Sequence, residues 1–428
     1  MPRPDAQLPN NGVRVPSQSH SEARYRTYEI YQRERLGEST ELISPGQLTA
    51  AKQLTNPYPL LALLRENYPC YRDWSGNAYW LTRYDQVTSI FSDRANFHFP
   101  NRAQSCSLID AEDLSATVAA HELWAQLIDE QLPDICETLL SGQSGEKPFD
   151  LNIDYALALG NELQRRALGI QAQHSSELAQ LLWHIQRADS WQVKLALSAQ
   201  TACSKLFDLL ANSPADNTSP SLRDAIPGLS PESLLATVLG FETRTLHGWI
   251  CNLAYAWLTN THIQAEIQKG PTNIKIAALE AMRHTPPVPY AHVYAKHEVE
   301  RFGRLIPEGA LVRLSAEAAN RDPRVFAEPD TFYAIRADLC HREARGQFRA
   351  DGLATGIAFG LGLPSKHPAI PEDRPRSLYA LTRDATVTAT HQLLEHFPGI
   401  HPWGELTGPS ALAIYEPMVA WSLPVRFT

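Results

Sequence analysis

Cysteine is scarce in this sequence, and none follows Cys340. The six cysteines of the 428-residue chain are widely scattered, and no two of them form a CxxC pair. Such scattering argues against a disulfide framework and against a cysteine-based zinc site. We therefore expect reduced, buried thiols and a cytoplasmic protein.

Long hydrophobic runs and an excess of positive charge are missing as well. The longest apolar runs, such as residues 234–241, are far shorter than the roughly 20 residues that a membrane-spanning helix needs. With 38 basic and 47 acidic residues the formal net charge is -9, which argues against binding to nucleic acid or to anionic membranes. Residues 1–21 are proline-containing and polar, without an apolar segment, so they predict a disordered tail rather than a secretory signal.

Several common active-site patterns are absent too. The sequence contains no GxGxxG, no GxxxxGKS or GxxxxGKT, no HExxH and no GxSxG pattern. These absences argue against a dinucleotide-binding loop, a phosphate-binding loop, a zinc protease and a serine hydrolase. The histidines His284 and His292 have no carboxylate at metal-like spacing, so no metal site is expected there.

Helical periodicity dominates what is present. The spacing of apolar residues predicts one long, central helix over 231–258, with a proline in its first turn, and another helix over 378–396. Short aromatic strands are predicted at 70–74 and 78–82, and a closing strand at 418–427. The sequence therefore predicts a mainly α protein with a small antiparallel β region.

A set of motifs occurs in a recognisable order. They are the opening 56–91, Gly240-Phe241-Glu242-Thr243, Glu280-Ala281-Met282-Arg283, Pro286-Pro287-Val288, Ala319 to Phe326, Phe359-Gly360-x-Gly362 and Ser422 to Phe427. In order and spacing this set resembles the bacterial cytochrome P450 family over most of the chain from residue 56 onward. The resemblance implies the cytochrome P450 fold, with residues 22–428 forming a single domain.

Three residues match the motif that anchors the core of that family. Glu280 and Arg283 are one helical turn apart and can share a face of the helix. The resemblance implies that Arg336, from a turn-rich segment farther along the chain, completes a buried ion-pair cluster with them. The cluster is a structural motif, and its presence predicts that the scaffold is kept.

A second group lies in the predicted central helix. In the family, the segment that matches Gly240, Glu242 and Thr243 passes over the haem, and its acid and alcohol relay protons. His247 is four residues after Thr243 and lies on the same helix face. One alternative is therefore a haem-free enzyme that uses Glu242 and Thr243, with His247, for acid-base chemistry.

The cofactor loop departs from the family pattern. Phe359, Gly360 and Gly362 match the frame that leads to the cysteine ligand of the haem, but Lys366 stands where that cysteine is expected. A cysteine thiolate donates electron density to the iron, and a lysine ammonium cannot do so. If haem is bound, the axial ligand would be His367 or, less favourably, Lys366.

The residues expected to contact the haem propionates are also missing. The family places an arginine at or near Val293, and it places an arginine four residues after the helix position that His121 matches, where this chain has Ala125. Buried propionates need cationic partners. The joint loss predicts that the chain binds no haem.

These observations favour a haem-free, P450-fold protein that acts as a small-molecule-binding or auxiliary subunit in secondary metabolism. The expected pocket-lining residues are Gly240, His247 and Val293, and the expected ligand is a small hydrophobic molecule in the former active-site pocket. In its loss of the ligand the chain is similar to the P450-like helper proteins that stabilise glycosyltransferases, so a partner enzyme is the second expected partner. Neither nucleic acid nor a membrane is expected.

Overall fold

The computed structural model describes most of the chain from residue 46 onward. The described residues are Ile43 and residues 46–73, 76–91, 93, 95–98, 114–143, 149–186, 193–216, 218–239, 241, 243–337, 339, 378–413 and 416–427. The chain divides into two compact units, residues 1–50 and 51–428. In the first unit a single 3-10 turn, Gln47–Thr49, is described. The described residues from Ala51 onward belong to the second unit.

Helices make up most of this unit. In its first half they are α1 (Tyr58–Asn67), α2 (Tyr84–Phe91), α3 (Leu114–Gln126), α4 (Leu132–Leu140), α5 (Ala158–Ala167), α6 (Ser175–Gln186), α7 (Val193–Asn212) and α8 (Leu222–Ala225). In its second half they are α9 (Pro231–Leu239), α10 (Thr243–Leu258), α11 (Thr261–Ile267), α12 (Pro271–His284), α13 (Ala316–Ala319) and α14 (Leu378–His396). Two π-helical segments, Leu127–Gln131 and Leu151–Leu157, lead into α4 and α5.

The strands form small sheets. They are β1 (Tyr71–Asp73), β2 (Ala78–Leu81), β3 (Phe97–His98), β4 (Phe149–Asp150), β5 (Tyr290–Ala295), β6 (Val299–Arg301), β7 (Arg304–Ile306), β8 (Leu311–Ser315), β9 (His401–Pro402), β10 (Thr407–Ser410), β11 (Val419–Ser422) and β12 (Pro424–Arg426). The largest sheet has the order β1-β2-β8-β5-β3 and is antiparallel except for the parallel pair β2 and β8. The other sheets are β4-β12-β9, β10-β11 and β6-β7. The predicted mainly α fold with a small β region is confirmed.

The predictions for individual elements were mostly correct. Helix α14 has the predicted bounds, and β1 and β2 lie within the two predicted aromatic strands. The single closing strand predicted over 418–427 was wrong. The chain there forms β11 and β12, which pair in different sheets, because at Leu423 it crosses from one sheet to the other.

The single helix predicted over 231–258 was also wrong. Two helices, α9 and α10, occupy this range, and Phe241 between them is not helical. The Phe241 amide donates to the carbonyl of Val238 (3.2 Å), and the Thr243 amide donates to the carbonyl of Phe241 (2.8 Å). These bonds span three and two residues instead of four, so the α-helical ladder is broken there. The ring of Phe241 is buried and stacks on Trp124 of α3, with ring centroids 4.4 Å apart.

Helix α10 is the centre of the unit. It packs against α12, α14, α5, β11 and the π-helical segment that precedes α5. Trp249 is fully buried on it, and its indole N–H donates to the carbonyl of Ala278 in α12 (2.6 Å) while its ring lies 5.5 Å from that of Tyr379 in α14. A helix that is apolar on nearly every face is expected in the middle of a core.

Substitution by alanine is expected to have opposite effects on stability at two helical glycines. A Cβ on Gly248 of α10 would lie 2.6 Å from Cβ of Pro287 and 3.2 Å from Cγ2 of Val419, whereas a Cβ on Gly160 of α5 would meet nothing closer than 3.6 Å. We expect Gly248→Ala to lower the free energy of unfolding by about 1–3 kcal/mol through overpacking. Gly160→Ala, the matched control, should leave stability unchanged or raise it by about 0.5–1 kcal/mol, because alanine is the better helix former.

Urea unfolding of the two variants measures this difference. Equal stabilities for the two variants would show that α10 and the Pro287 turn are not in close contact.

Candidate functional site

The matched core motif forms a buried cluster. Arg283 donates from Nε to Oε2 of Glu280 (2.7 Å) and from Nη2 to Oε1 (2.8 Å), and both side chains are fully buried. Arg336 approaches the same carboxylate, with Nε 3.0 Å from Oε2. The backbone N–H of Tyr333 also donates to Oε1 of Glu280 (3.0 Å). One carboxylate thus meets two guanidinium groups and one amide.

The two arginines also hold the turn-rich segment that follows α13. Arg283 donates to the carbonyls of Asn320 (2.9 Å) and Pro329 (2.7 Å). Arg336 donates to the carbonyls of Ala327 (2.7 Å) and Thr331 (2.8 Å). Because the cluster is buried and its groups are engaged with one another and with the backbone, it stabilises the fold and is not placed to perform chemistry.

Thr243, at the start of α10, faces α5 and α6. A Cβ on Gly160 would lie 3.6 Å from Cβ of Thr243, so α5 approaches α10 closely at this point. Nε2 of Gln186, at the end of α6, lies 3.4 Å from Oγ1 of Thr243 and 3.1 Å from Oε1 of Gln164 in α5. These side chains form a polar network that joins the three helices.

His247 lies one turn farther along the same face. Its Nε2 is 3.2 Å from Oδ1 of Asn152, and Nδ2 of Asn152 donates to the carbonyl of Ala420 in β11 (2.8 Å). Because the carbonyl of Ala420 requires a donor, the Asn152 amide nitrogen must point to it, and Oδ1 then points to His247. Burial lowers the pKa of His247 to about 4, so the imidazole is neutral at neutral pH.

A cleft opens beside Thr243 and His247. The cleft is partly open to solvent. Its lining residues come from α5, α6, α10, the π-helical segment before α5 and the chain around β11: Leu157, Gly160, Asn161, Trp183, Gln186, Thr243, Arg244, His247, Leu412, Glu416, Pro417, Val419 and Trp421. The cleft therefore combines aromatic walls with a few polar groups.

The cleft lies on a defined side of α10. Successive residues of an α-helix are rotated by about 100°, so Thr243 and His247 share a face and Trp249 is about 200° from His247. Trp249 is the residue that contacts α12 and α14. The cleft is thus on the side of α10 that faces away from α14.

The predicted cofactor contacts can be placed only in part. Val293 on β5 is fully buried and pairs with Val312 of β8. His121 of α3 is buried, and Trp124, one turn later, stacks on Phe241. Gly240 and Glu242 lie outside the described residues, as do Phe359, Gly360, Gly362, Lys366 and His367. Of the predicted pocket and acid-base residues, the structure brings together Thr243 and His247.

Sequence reasoning missed several residues that line the cleft, and it also missed Asn152, which contacts His247 from behind the cleft. Asn152, Gln186, Trp183 and Trp421 come from segments that are far apart in sequence, and none has a local pattern that marks it. In the described ranges, histidine, cysteine and carboxylate side chains nowhere form a group of three that could hold a metal ion. Among the described helices, none is long and apolar enough to span a membrane.

Comparison with known proteins identifies relatives, although no protein-family model matches the chain. The putative cytochrome P450 YjiB of Bacillus subtilis is 24% identical over 344 residues, which are 72% of this chain and 83% of YjiB. The biotin biosynthesis cytochrome P450 of Bacillus subtilis is 22% identical over 327 residues, 67% of this chain and 82% of that protein.

A solved structure shares the fold. P450BioI, in a complex with an acyl carrier protein ligated to hexadec-9Z-enoic acid, aligns with a TM-score of 0.69 at 18% sequence identity. The alignment covers 88% of this chain and 99% of P450BioI.

Proposed function

We propose that the chain, which is similar in sequence to bacterial cytochrome P450s and shares their fold, is a haem-free member of that superfamily that acts as a small-molecule-binding or auxiliary subunit rather than as a monooxygenase. The observation that carries the proposal is the absence of any cysteine after Cys340, which leaves Lys366 in the place of the thiolate ligand. Similarity to a biosynthetic P450 supports a role in biosynthetic metabolism.

The described residues around the expected cofactor region support the proposal. A haem places two propionate charges in or near the protein interior, where they need cationic partners. The position expected to supply an arginine is Val293, which is apolar and fully buried within the sheet. The residues at these two expected positions, Lys366 in the sequence and Val293 in the sheet, therefore do not fit a haem of the usual thiolate type.

A second feature supports the same conclusion. In the family, the segment that contains Phe241 passes over the cofactor, and the helix that matches α3 holds a propionate. Here the two are in direct contact through the stacked rings of Phe241 and Trp124, at 4.4 Å between centroids. An aromatic pair of this kind fills space and is stabilised by its own burial.

The proposal can be tested by titrating the purified protein with haem. We expect no saturable Soret change at a ratio of one haem per chain, because no cysteine follows Cys340 and Val293 stands where a propionate partner is expected. A cysteine-ligated bacterial P450 treated in the same way is the positive control.

A variant of His367 distinguishes the haem-free proposal from the alternative in which His367 is the axial ligand of a bound haem. If His367 ligated the iron, the wild-type protein would give a low-spin spectrum on titration and His367→Ala would abolish it. That pair of results would overturn the haem-free proposal. Identical, featureless titrations of the wild type and of His367→Ala are the expected outcome.

A further inference from the structure

We propose that the cleft beside Thr243 and His247 binds a flat, uncharged, mostly apolar molecule that carries a hydroxyl or N–H group, and that this group donates a hydrogen bond to Nδ1 of His247. The inference rests on the binding role proposed above, but it does not depend on the absence of haem.

The direction of the hydrogen bond follows from the neighbours of His247. Oδ1 of Asn152 can only accept, so Nε2 of His247 is the nitrogen that carries the proton. A neutral imidazole has one proton, which leaves a lone pair on Nδ1. Within the described residues Nδ1 makes no hydrogen bond, and His247 lines the cleft. Nδ1 of His247 can thus accept a hydrogen bond from a ligand in the cleft.

The orientation of this acceptor is fixed from behind. Asn152 is tied to the carbonyl of Ala420 through Nδ2 (2.8 Å), and its backbone N–H donates to Oδ1 of Asp150 (2.9 Å). The ring of His247 also lies 6.0 Å from the ring of Trp421. A polar group that is held in one orientation by such contacts is typical of a site that selects its ligand.

The aromatic and apolar side chains that line the cleft favour a flat, apolar ligand. Trp183 and Trp421 lie edge to face, with ring centroids 6.4 Å apart. Leu412 also lines the cleft and is 48% exposed, so apolar surface is left for a ligand to cover. Aromatic side chains bind planar molecules through offset or edge-to-face contacts.

The charges of the cleft favour an uncharged ligand. Arg244 and Glu416 contribute one charge of each sign to the lining. Arg244 donates from Nη1 to the backbone carbonyl of Gln186. The innermost polar groups are an amide, a hydroxyl and a neutral imidazole, which do not compensate the desolvation of an ion.

The test is calorimetric titration with two matched probes, 2-naphthol and 2-methoxynaphthalene. Both are flat and apolar, but only the first can donate a hydrogen bond. We expect the wild type to bind 2-naphthol about tenfold more tightly, the usual effect of one hydrogen bond. Equal affinities for the two probes, or no saturable binding of either, would overturn the proposal.

Variants locate the binding. His247→Phe removes the acceptor and keeps a ring, so it should abolish the preference for 2-naphthol. Trp183→Ala should weaken the binding of both probes. His184→Ala, at an exposed neighbouring position of α6, should change neither affinity. A preference that survives in His247→Phe contradicts the assignment. If His247→Phe does not fold, the proposal is decided by the affinities of the wild type for the two probes and by the comparison of Trp183→Ala with His184→Ala.

Discussion

Glu280→Gln lowers the free energy of unfolding by about 3–5 kcal/mol, the usual cost of removing one partner from a buried ion pair. Glutamine keeps the shape of glutamate but removes the charge that Arg283 and Arg336 share. Both arginines would remain buried beside a neutral amide, and an amide N–H₂ would face a donor instead of an acceptor. The turn-rich segment held by the two guanidinium groups would loosen with the cluster.

Glu266→Gln is the matched control for this variant. Glu266 forms an ion pair with Lys269 at the same i,i+3 spacing, but on the surface, with 60% of the lysine side chain exposed. An exposed pair of this kind contributes about 0–1 kcal/mol. Chemical denaturation of both variants at pH 7 gives the comparison. A loss for Glu280→Gln as small as that for Glu266→Gln would contradict a structural role for the cluster.

Glu317→Gln has the opposite expected sign: it stabilises the protein at pH 8. Glu317, in the short helix α13, is buried, and burial raises the pKa of its carboxyl group to about 7. The hydroxyl of Tyr290 and the guanidinium of Arg321 act in the other direction, without reversing the effect of burial. Above pH 7 the folded protein therefore contains a buried, ionised carboxylate, and its burial costs free energy.

The pH dependence follows from linkage. Between the ordinary pKa near 4.5 and the raised value near 7, the folded state binds the proton more tightly than the unfolded state, so stability falls as the pH rises through this window. Because glutamine is neutral and does not titrate, Glu317→Gln does not lose stability in this way as the pH rises. We expect Glu317→Gln to exceed the wild type by about 3 kcal/mol at pH 8 and to equal it near pH 4.5. A difference between the two proteins that does not change with pH would contradict the account.

These two carboxyl groups show how far sequence reasoning reaches. Glu280 was found because Arg283 follows it at helical spacing within a known motif. Glu317 has no such signal, since its burial comes from the packing of α13 against α1 and α2, which are distant in sequence. Spacing identifies local partners, but burial depends on tertiary contacts.

The central helix shows a second limit. The apolar periodicity over 231–258 is correct on both sides of Phe241, so it gives no sign of the interruption. At the break, Phe241 stacks on Trp124 of α3, a contact between segments that are distant in sequence. The cleft was missed for the same reason: Asn152, Trp183 and Trp421 meet around His247 only once α6, α10 and β11 are packed.

The ultraviolet-visible spectrum of the protein as isolated, with its iron quantified, tests whether the chain is haem-free. Cells supplied with a haem precursor provide every opportunity for loading. The account predicts no Soret band and iron in fewer than about one chain in ten, because the sequence supplies no thiolate after Cys340. A strong Soret band with one iron atom per chain would contradict it.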